Sequence, residues 1–355
     1  MRLSAGERAG IWGRRVVAVP AAMVGFLLLV VTSPLTLSIA LLWDAVVHRH
    51  LTSTRGVAVL VLALFGEVWG ILAGFGAWLA SGVWLGLGRQ RFVRWNYGLE
   101  ATYAGFMFPA ARWILGARLE LEGHEVVSPG PILLFIRHAA LADTILPGAL
   151  VMHGHRIRLR HVLARGLLWA PGLNVVGTRV DNLFIRRGSA GELRRLGAMA
   201  DGLGPEDGVV IWPEGMVPTP ANLERSRVRA QEKAARRGGG GAPSESPRRG
   251  RLRSRYDHVL PPVPGGPLAL LEHAGTADVV FCAHVGFEPV TRTVDLLRGG
   301  LAGRTVRVLF WRVPRSEIPS TRPQRAAWLF DQWERVDEWV AANRNEECDE
   351  PRTLQ

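Results

Sequence analysis

Pro131-Ile132-Leu133-Leu134-Phe135-Ile136-Arg137-His138-Ala139-Ala140-Leu141-Ala142-Asp143 runs from a short, wholly apolar segment into a histidine and, five residues later, an aspartate. An uncharged apolar run of this length, closed by polar residues, is the pattern of a strand buried on both faces of a parallel sheet. In such sheets the carboxyl ends of the strands form the binding crevice, which puts His138 and Asp143 where chemistry is expected. Five further runs, at 160–163, 183–185, 209–212, 279–283 and 305–310, read as strands, with helical segments at 191–202 and 267–275 among them. The rhythm predicts an α/β domain with a mostly parallel sheet flanked by helices.

Upstream the chain is different. Residues 16–43 carry no charge, and 56–88 carry only Glu67. Each exceeds the roughly 20 residues needed to cross a bilayer, so a transmembrane helical hairpin is expected, with Glu67 facing its partner helix or the interface. Arg2, Arg8, Arg14 and Arg15 precede the first stretch, and Arg89, Arg91 and Arg94 follow the second. That bias puts both ends on the cytoplasmic side and the turn outside, although Pro20 and Pro34 also suit a hairpin dipping into one leaflet. The expected localisation is integral to the cell membrane, with the catalytic domain on its cytoplasmic face. The aromatic and basic segment after the hairpin (Phe92, Trp95, Tyr97, Phe106, Phe108, Trp113) suits the headgroup layer.

The expected organisation is a membrane anchor over 1–94, a catalytic domain over 95–345 and a disordered tail over 346–355. Within the domain, 217–257 holds four consecutive glycines from Gly238 and a series of arginines, the composition of a flexible insertion. It reads as a solvated loop, or as a surface docking on anionic membrane lipids. No aromatics are interleaved to stack bases, which argues against nucleic acid. Over the 355 residues the formal charge is +12, and all 43 basic residues but Lys233 are arginine. With apolar helices present, an anionic membrane face is the simplest partner for that charge. Cys282 and Cys348 are too few for a disulfide framework or a metal site.

A neutral imidazole can take a proton from an alcohol, and a carboxylate on its other nitrogen fixes the tautomer. No serine or cysteine lies in the His138–Asp143 window, so the nucleophile is expected from the substrate. His273 and Asp278 repeat the spacing, but between a helix and the start of a strand, and are expected to be structural. Three further strand ends carry polar groups. Asp181-Asn182-Leu183-Phe184-Ile185-Arg186-Arg187-Gly188 offers paired arginines suited to a phosphate. Ile211-Trp212-Pro213-Glu214-Gly215-Met216 offers a hydrogen-bond acceptor beside a glycine, and His258-Val259-Leu260-Pro261 opens a rigid loop.

Taken in order, these four blocks resemble those of the glycerolipid acyltransferases, the 1-acylglycerol-3-phosphate acyltransferase-like (PlsC-like) family with its HX4D motif. The resemblance covers roughly 118–340. The pattern is nearest the lysocardiolipin acyltransferase-type branch, which is similar in its two N-terminal apolar segments and in a histidine-x-leucine-proline element like 258–261. It implies that His138 is the base and Asp143 its partner, and that Arg187 holds the acceptor's phosphate. It also implies that Glu214, Gly215 and Phe184 line the acceptor site, and that Arg165 stands where relatives often have lysine. The implied reaction moves a fatty acyl group from acyl-CoA or acyl carrier protein to a lysophospholipid, most simply 1-acylglycerol-3-phosphate, in phospholipid biosynthesis, without a metal or other cofactor. The chain departs from the pattern at Arg137, Ala140, Asp181, Met216 and Pro262. Another lysolipid or glycolipid acceptor, or a non-catalytic basic module at the membrane, are the alternatives.

Overall fold

The computed structural model describes residues 5–47, 51–186, 190–217, 256–290 and 299–344, with scattered positions between 219 and 295. Three long helices come first: α1 (Ala5–Val46), α2 (Thr52–Ser81) and α3 (Arg89–Leu115). Next come β1 (Arg118–Glu122), β2 (Ile132–Ile136), β3 (Arg158–Ala164), α4 (Pro171–Gly177), β4 (Leu183–Ile185), α5 (Ala190–Gly197) and β5 (Asp207–Ile211). The described chain ends with α6 (Gly265–His273), β6 (Asp278–Val285), β7 (Thr305–Val313) and α7 (Arg322–Asn343).

The strands form one seven-stranded sheet in the order β1-β7-β6-β2-β5-β3-β4, parallel throughout except between β6 and β7. The six expected strands are all present. The seventh, β1, is an edge strand of sequence Arg-Leu-Glu-Leu-Glu, mostly exposed, whose charges hide it from a search for apolar runs. Every residue of β2 is buried, because β5 and β6 flank it and side chains cover both faces. Burying an Ile, Leu or Phe contributes roughly 1.5–3 kcal/mol each, which makes β2 a rigid post for the loop at its carboxyl end. On one face Phe281 packs edge-on to Phe135 and stacks on Trp311 at 5.1 Å. Leu329, Trp333, Val336 and Val340 of α7 close that face, all fully buried.

Helices α1 and α2 are each long and apolar enough to cross a bilayer. Their turn is held by the buried Asp44, which accepts bonds from the Ser53 and Thr54 amides at 3.0 and 2.8 Å. Gly66, Gly70 and Gly74 form a stripe on α2 that lets it press closely on neighbours. A methyl at Gly66 would strike Tyr103 and Met107 of α3, and one at Gly74 would strike Val175 of α4. Glu67 accepts a bond from the Gly172 amide at 2.7 Å, so it faces α4 rather than α1.

The hairpin lies against the domain at both of its ends. Near the turn, Arg55 reaches the Leu115 carbonyl, and Thr52 lies against Gly299. At the opposite end Glu7 pairs with Arg195 of α5 at 2.9 Å. Both ends of the hairpin therefore rest on the α/β domain. The positive-charge pattern could not reveal this, because it carries no information about which helix faces a neighbour. Helix α3 runs unbroken across position 94, packing along α2 and continuing into the domain.

Candidate active site

His138 leaves the carboxyl end of β2, and the chain turns at once. The Ala139 and Ala140 amides donate to Asp143 Oδ2 at 2.6 and 2.8 Å, so the aspartate closes the loop that carries it. His138 Nδ1 lies 3.0 Å from Asp143 Oδ1 and 3.2 Å from Oδ2. Asp143 is fully buried, while His138 is 18 % exposed. A carboxylate already taking two amide protons acts as acceptor toward Nδ1. The lone pair of a neutral imidazole is then at Nε2, which has no hydrogen-bond partner among the described residues. The Trp212 ring sits 5.8 Å from the imidazole, as one wall.

The third block follows β5, the neighbour of β2. Gly215 adopts φ +72°, a left-handed conformation that favours glycine, and its amide closes a turn on the Trp212 carbonyl. Glu214 is 2 % exposed, and its carboxyl faces the His138 backbone amide without closing a regular hydrogen bond to either oxygen. Burial raises its pKa well above the ordinary carboxyl range; the Arg137 guanidinium opposes that shift and the Asp143 charge adds to it. The fourth block packs against the third, with the Val263 amide donating to the Pro213 carbonyl at 2.8 Å. Asp337 of α7 holds it by accepting from the His258 and Val259 amides, both at 2.8 Å.

Arg165 follows β3, and Phe184 lies in β4, paired in register with Leu163. The carboxyl ends of β2, β5, β3 and β4, neighbours in that order, thus carry His138, Glu214, Arg165 and Phe184 along one edge of the sheet. Three strand spacings, about 15 Å, separate the first from the last. Arg187 lies outside the described residues. The entrance to its strand is tied down: Asn182 accepts from the His161 amide at 2.7 Å and donates to Glu100 of α3 at 2.9 Å. The second histidine–aspartate spacing does not close. His273 pairs with Asp201 and Asp278 with Arg312.

Behind the dyad lies a cluster that sequence reading did not assemble. Arg137 is buried, pairs with Glu288 at 2.7 Å and donates to the His284 carbonyl. His284 Nε2 donates in return to the Arg137 carbonyl at 2.8 Å and lies 3.6 Å from Asp143 Oδ2. Burial lowers the His284 pKa. The arginine that departs from the family pattern thus enters a reciprocal clasp between β2 and β6. The available signal was a histidine at the end of the apolar run of β6, mirroring His138 at the end of β2.

No family model matches this chain, and no curated protein matches it. Among solved structures, it is similar to the 1-acyl-sn-glycerophosphate (LPA) acyltransferase PlsC from Thermotoga maritima, with a TM-score of 0.51 and 14 % sequence identity, over 82 % of this chain and 100 % of that one. At that identity the likeness is one of architecture, and the chain shares that enzyme's fold.

Proposed function

We propose that this chain is a membrane-bound acyltransferase that moves a fatty acyl group from an acyl thioester to the free hydroxyl of a lysophospholipid. The observation that carries the reading is the His138–Asp143 pair at the carboxyl end of β2, with imidazole Nε2 left free. The fold shared with a lysophosphatidic acid acyltransferase supports it. His138 Nε2 takes the hydroxyl proton, the oxygen attacks the thioester carbonyl, and Asp143 stabilises the imidazolium. The carbon–sulfur bond breaks, and the thiolate leaves with the proton returned from His138. Arg187 and Arg165 are assigned to the acceptor's phosphate, and Glu214, Gly215 and Phe184 to its glycerol end. The acceptor named by the motif order is 1-acylglycerol-3-phosphate, and the donor acyl-CoA or acyl carrier protein. The apolar α1 and α2 support a membrane location, with the domain on the cytoplasmic face, where acyl thioesters are made.

The test is incorporation of labelled acyl-CoA into a panel of lysolipids by membranes containing the parent or His138→Ala. Loss of a general base lowers turnover by about 100-fold or more. Equal incorporation by parent and variant ends the reading, whereas an inert lysophosphatidic acid beside another active lysolipid changes only the acceptor. Deleting 238–253 leaves turnover largely intact if the chain is this enzyme. It abolishes function if the arginine-rich insertion is a binding module.

A further inference from the structure

At the foot of α1 a second concave site stands apart from the dyad. Arg8, Ile11, Trp12, Arg15, Thr178 and Arg179 line a cavity of about 190 Å3 between the first turns of α1 and the end of α4. It shares no residue with the His138 constellation. Arg15 is clamped by neutral acceptors: Nε donates to Asn174 Oδ1 at 2.8 Å, and Nη2 to the Asn174 carbonyl at 2.9 Å and Thr178 Oγ1 at 2.6 Å. Arg179 donates to the Gly74 carbonyl of α2 at 2.5 Å and lies over the Phe92 ring. Arg8 is exposed at the rim and makes no hydrogen bond among the described residues.

Three guanidiniums thus share one cavity, and among the described residues none of them has a carboxylate partner. Glu7, beside Arg8, is engaged by Arg195. Burial, and then the charge of Arg15, push the Arg179 pKa down to about 10. Partly buried like charges held by neutral groups are a costly arrangement that an anion relieves. Free Nη1 of Arg15 and the remaining donors of Arg179 and Arg8 suit the several oxygens of a phosphate.

We infer that this cavity binds the phosphate of an anionic membrane lipid. Its position selects a lipid over a soluble phosphate. Arg15 is the last charge before the apolar run of α1, and the Arg15 guanidinium stacks over Trp12, a residue favoured at headgroup level. Directly beyond, Val16 and Val17 are 70 % and 59 % exposed, giving the lipid's chains an apolar surface to lie on. The lipid would pin the foot of the hairpin to the domain, and the inference holds whatever reaction the dyad performs.

The test counts lipids retained by the full-length protein in detergent micelles, using native mass spectrometry with phosphatidylglycerol or phosphatidylcholine added. The parent is expected to retain one phosphatidylglycerol under conditions that strip phosphatidylcholine. Arg8→Glu, which breaks no bond in the fold, should weaken that retention by about tenfold or more, and Arg8→Lys by less. Arg91→Glu makes the same charge change at another exposed interfacial position and should leave it unaltered. Equal retention by parent and Arg8→Glu overturns the inference. So does equal weakening by Arg91→Glu, which would mean diffuse charge, or equal retention of phosphatidylcholine. Displacement of phosphatidylglycerol by inorganic phosphate or coenzyme A would assign the cavity to a soluble phosphate and overturn the lipid reading.

Discussion

His284 Nε2 lies 3.6 Å from the Asp143 carboxylate while donating to the Arg137 carbonyl, and both side chains are fully buried. A carbonyl only accepts, so Nε2 carries the hydrogen, and the bare nitrogen is Nδ1, which is buried without a partner among the described residues. The imidazole therefore presents a fixed N–H dipole toward Asp143. His284→Phe leaves the Arg137 carbonyl unsatisfied and should cost about 1–3 kcal/mol in unfolding measurements. His284→Gln can restore the donor. If His284 positions Asp143, the pH profile of turnover shifts in the phenylalanine variant and returns in the glutamine one. A stability loss with an unmoved profile would make its role structural only.

Asp143→Asn tests the tautomer. The asparagine oxygen can still serve the Ala139 and Ala140 amides, which turns its NH2 toward His138 Nδ1. Nδ1 must then accept, the hydrogen moves to Nε2, and the base is lost. Turnover should fall by about 100-fold or more, with the thiol-release assay as readout, while the unfolding temperature changes little.

Glu214→Gln is expected to be close to neutral for stability at pH 7, because burial already holds this carboxyl toward its uncharged form. If Glu214 lines the acceptor site, KM for the lysolipid rises while kcat changes less. A lower kcat at unchanged KM would place it in the chemical step instead.

Stability should also fall toward both pH extremes. Burial pushes Glu100 from 4.5 up to about 8, so its contribution is fully present below about pH 4.5 and is lost as the pH rises through 8. Glu100→Gln keeps an acceptor for Asn182, so it should match the parent at about pH 4.5 and unfold at a progressively higher temperature than the parent as the pH rises to about 8. On the acid side, burial holds His161 down at about 4 and His284 below its usual range. Their contribution is present above about pH 6.5 and is lost as the pH falls toward 4. Thermal unfolding scanned across this range checks both limbs.

Much of the site was legible because its residues sit in short segments at strand ends. His138 to Asp143 spans one turn, and local geometry alone lets the carboxylate reach both the imidazole and the loop amides. Glu214-Gly215 was legible for the same reason, since the left-handed glycine marks the turn after β5. The Arg137–His284–Glu288 clasp was not, because its members lie about 150 positions apart and meet only when β6 pairs with β2. Strand β1 escaped because its two leucines alternate with charged residues, so it holds no continuous apolar run.

The chain of amino acids by itself determines the strand-and-helix rhythm, the buried central strand, the dyad at its end and the two apolar helices. These are properties of periodicity and spacing over at most a few dozen residues. Tertiary structure decided the rest: the order of the strands, the return of both hairpin ends to the domain, and the meeting of Arg15 with Asn174 at the foot of α1. Each depends on which buried surfaces and unpaired polar groups find one another across long stretches of chain, and no local pattern encodes that choice.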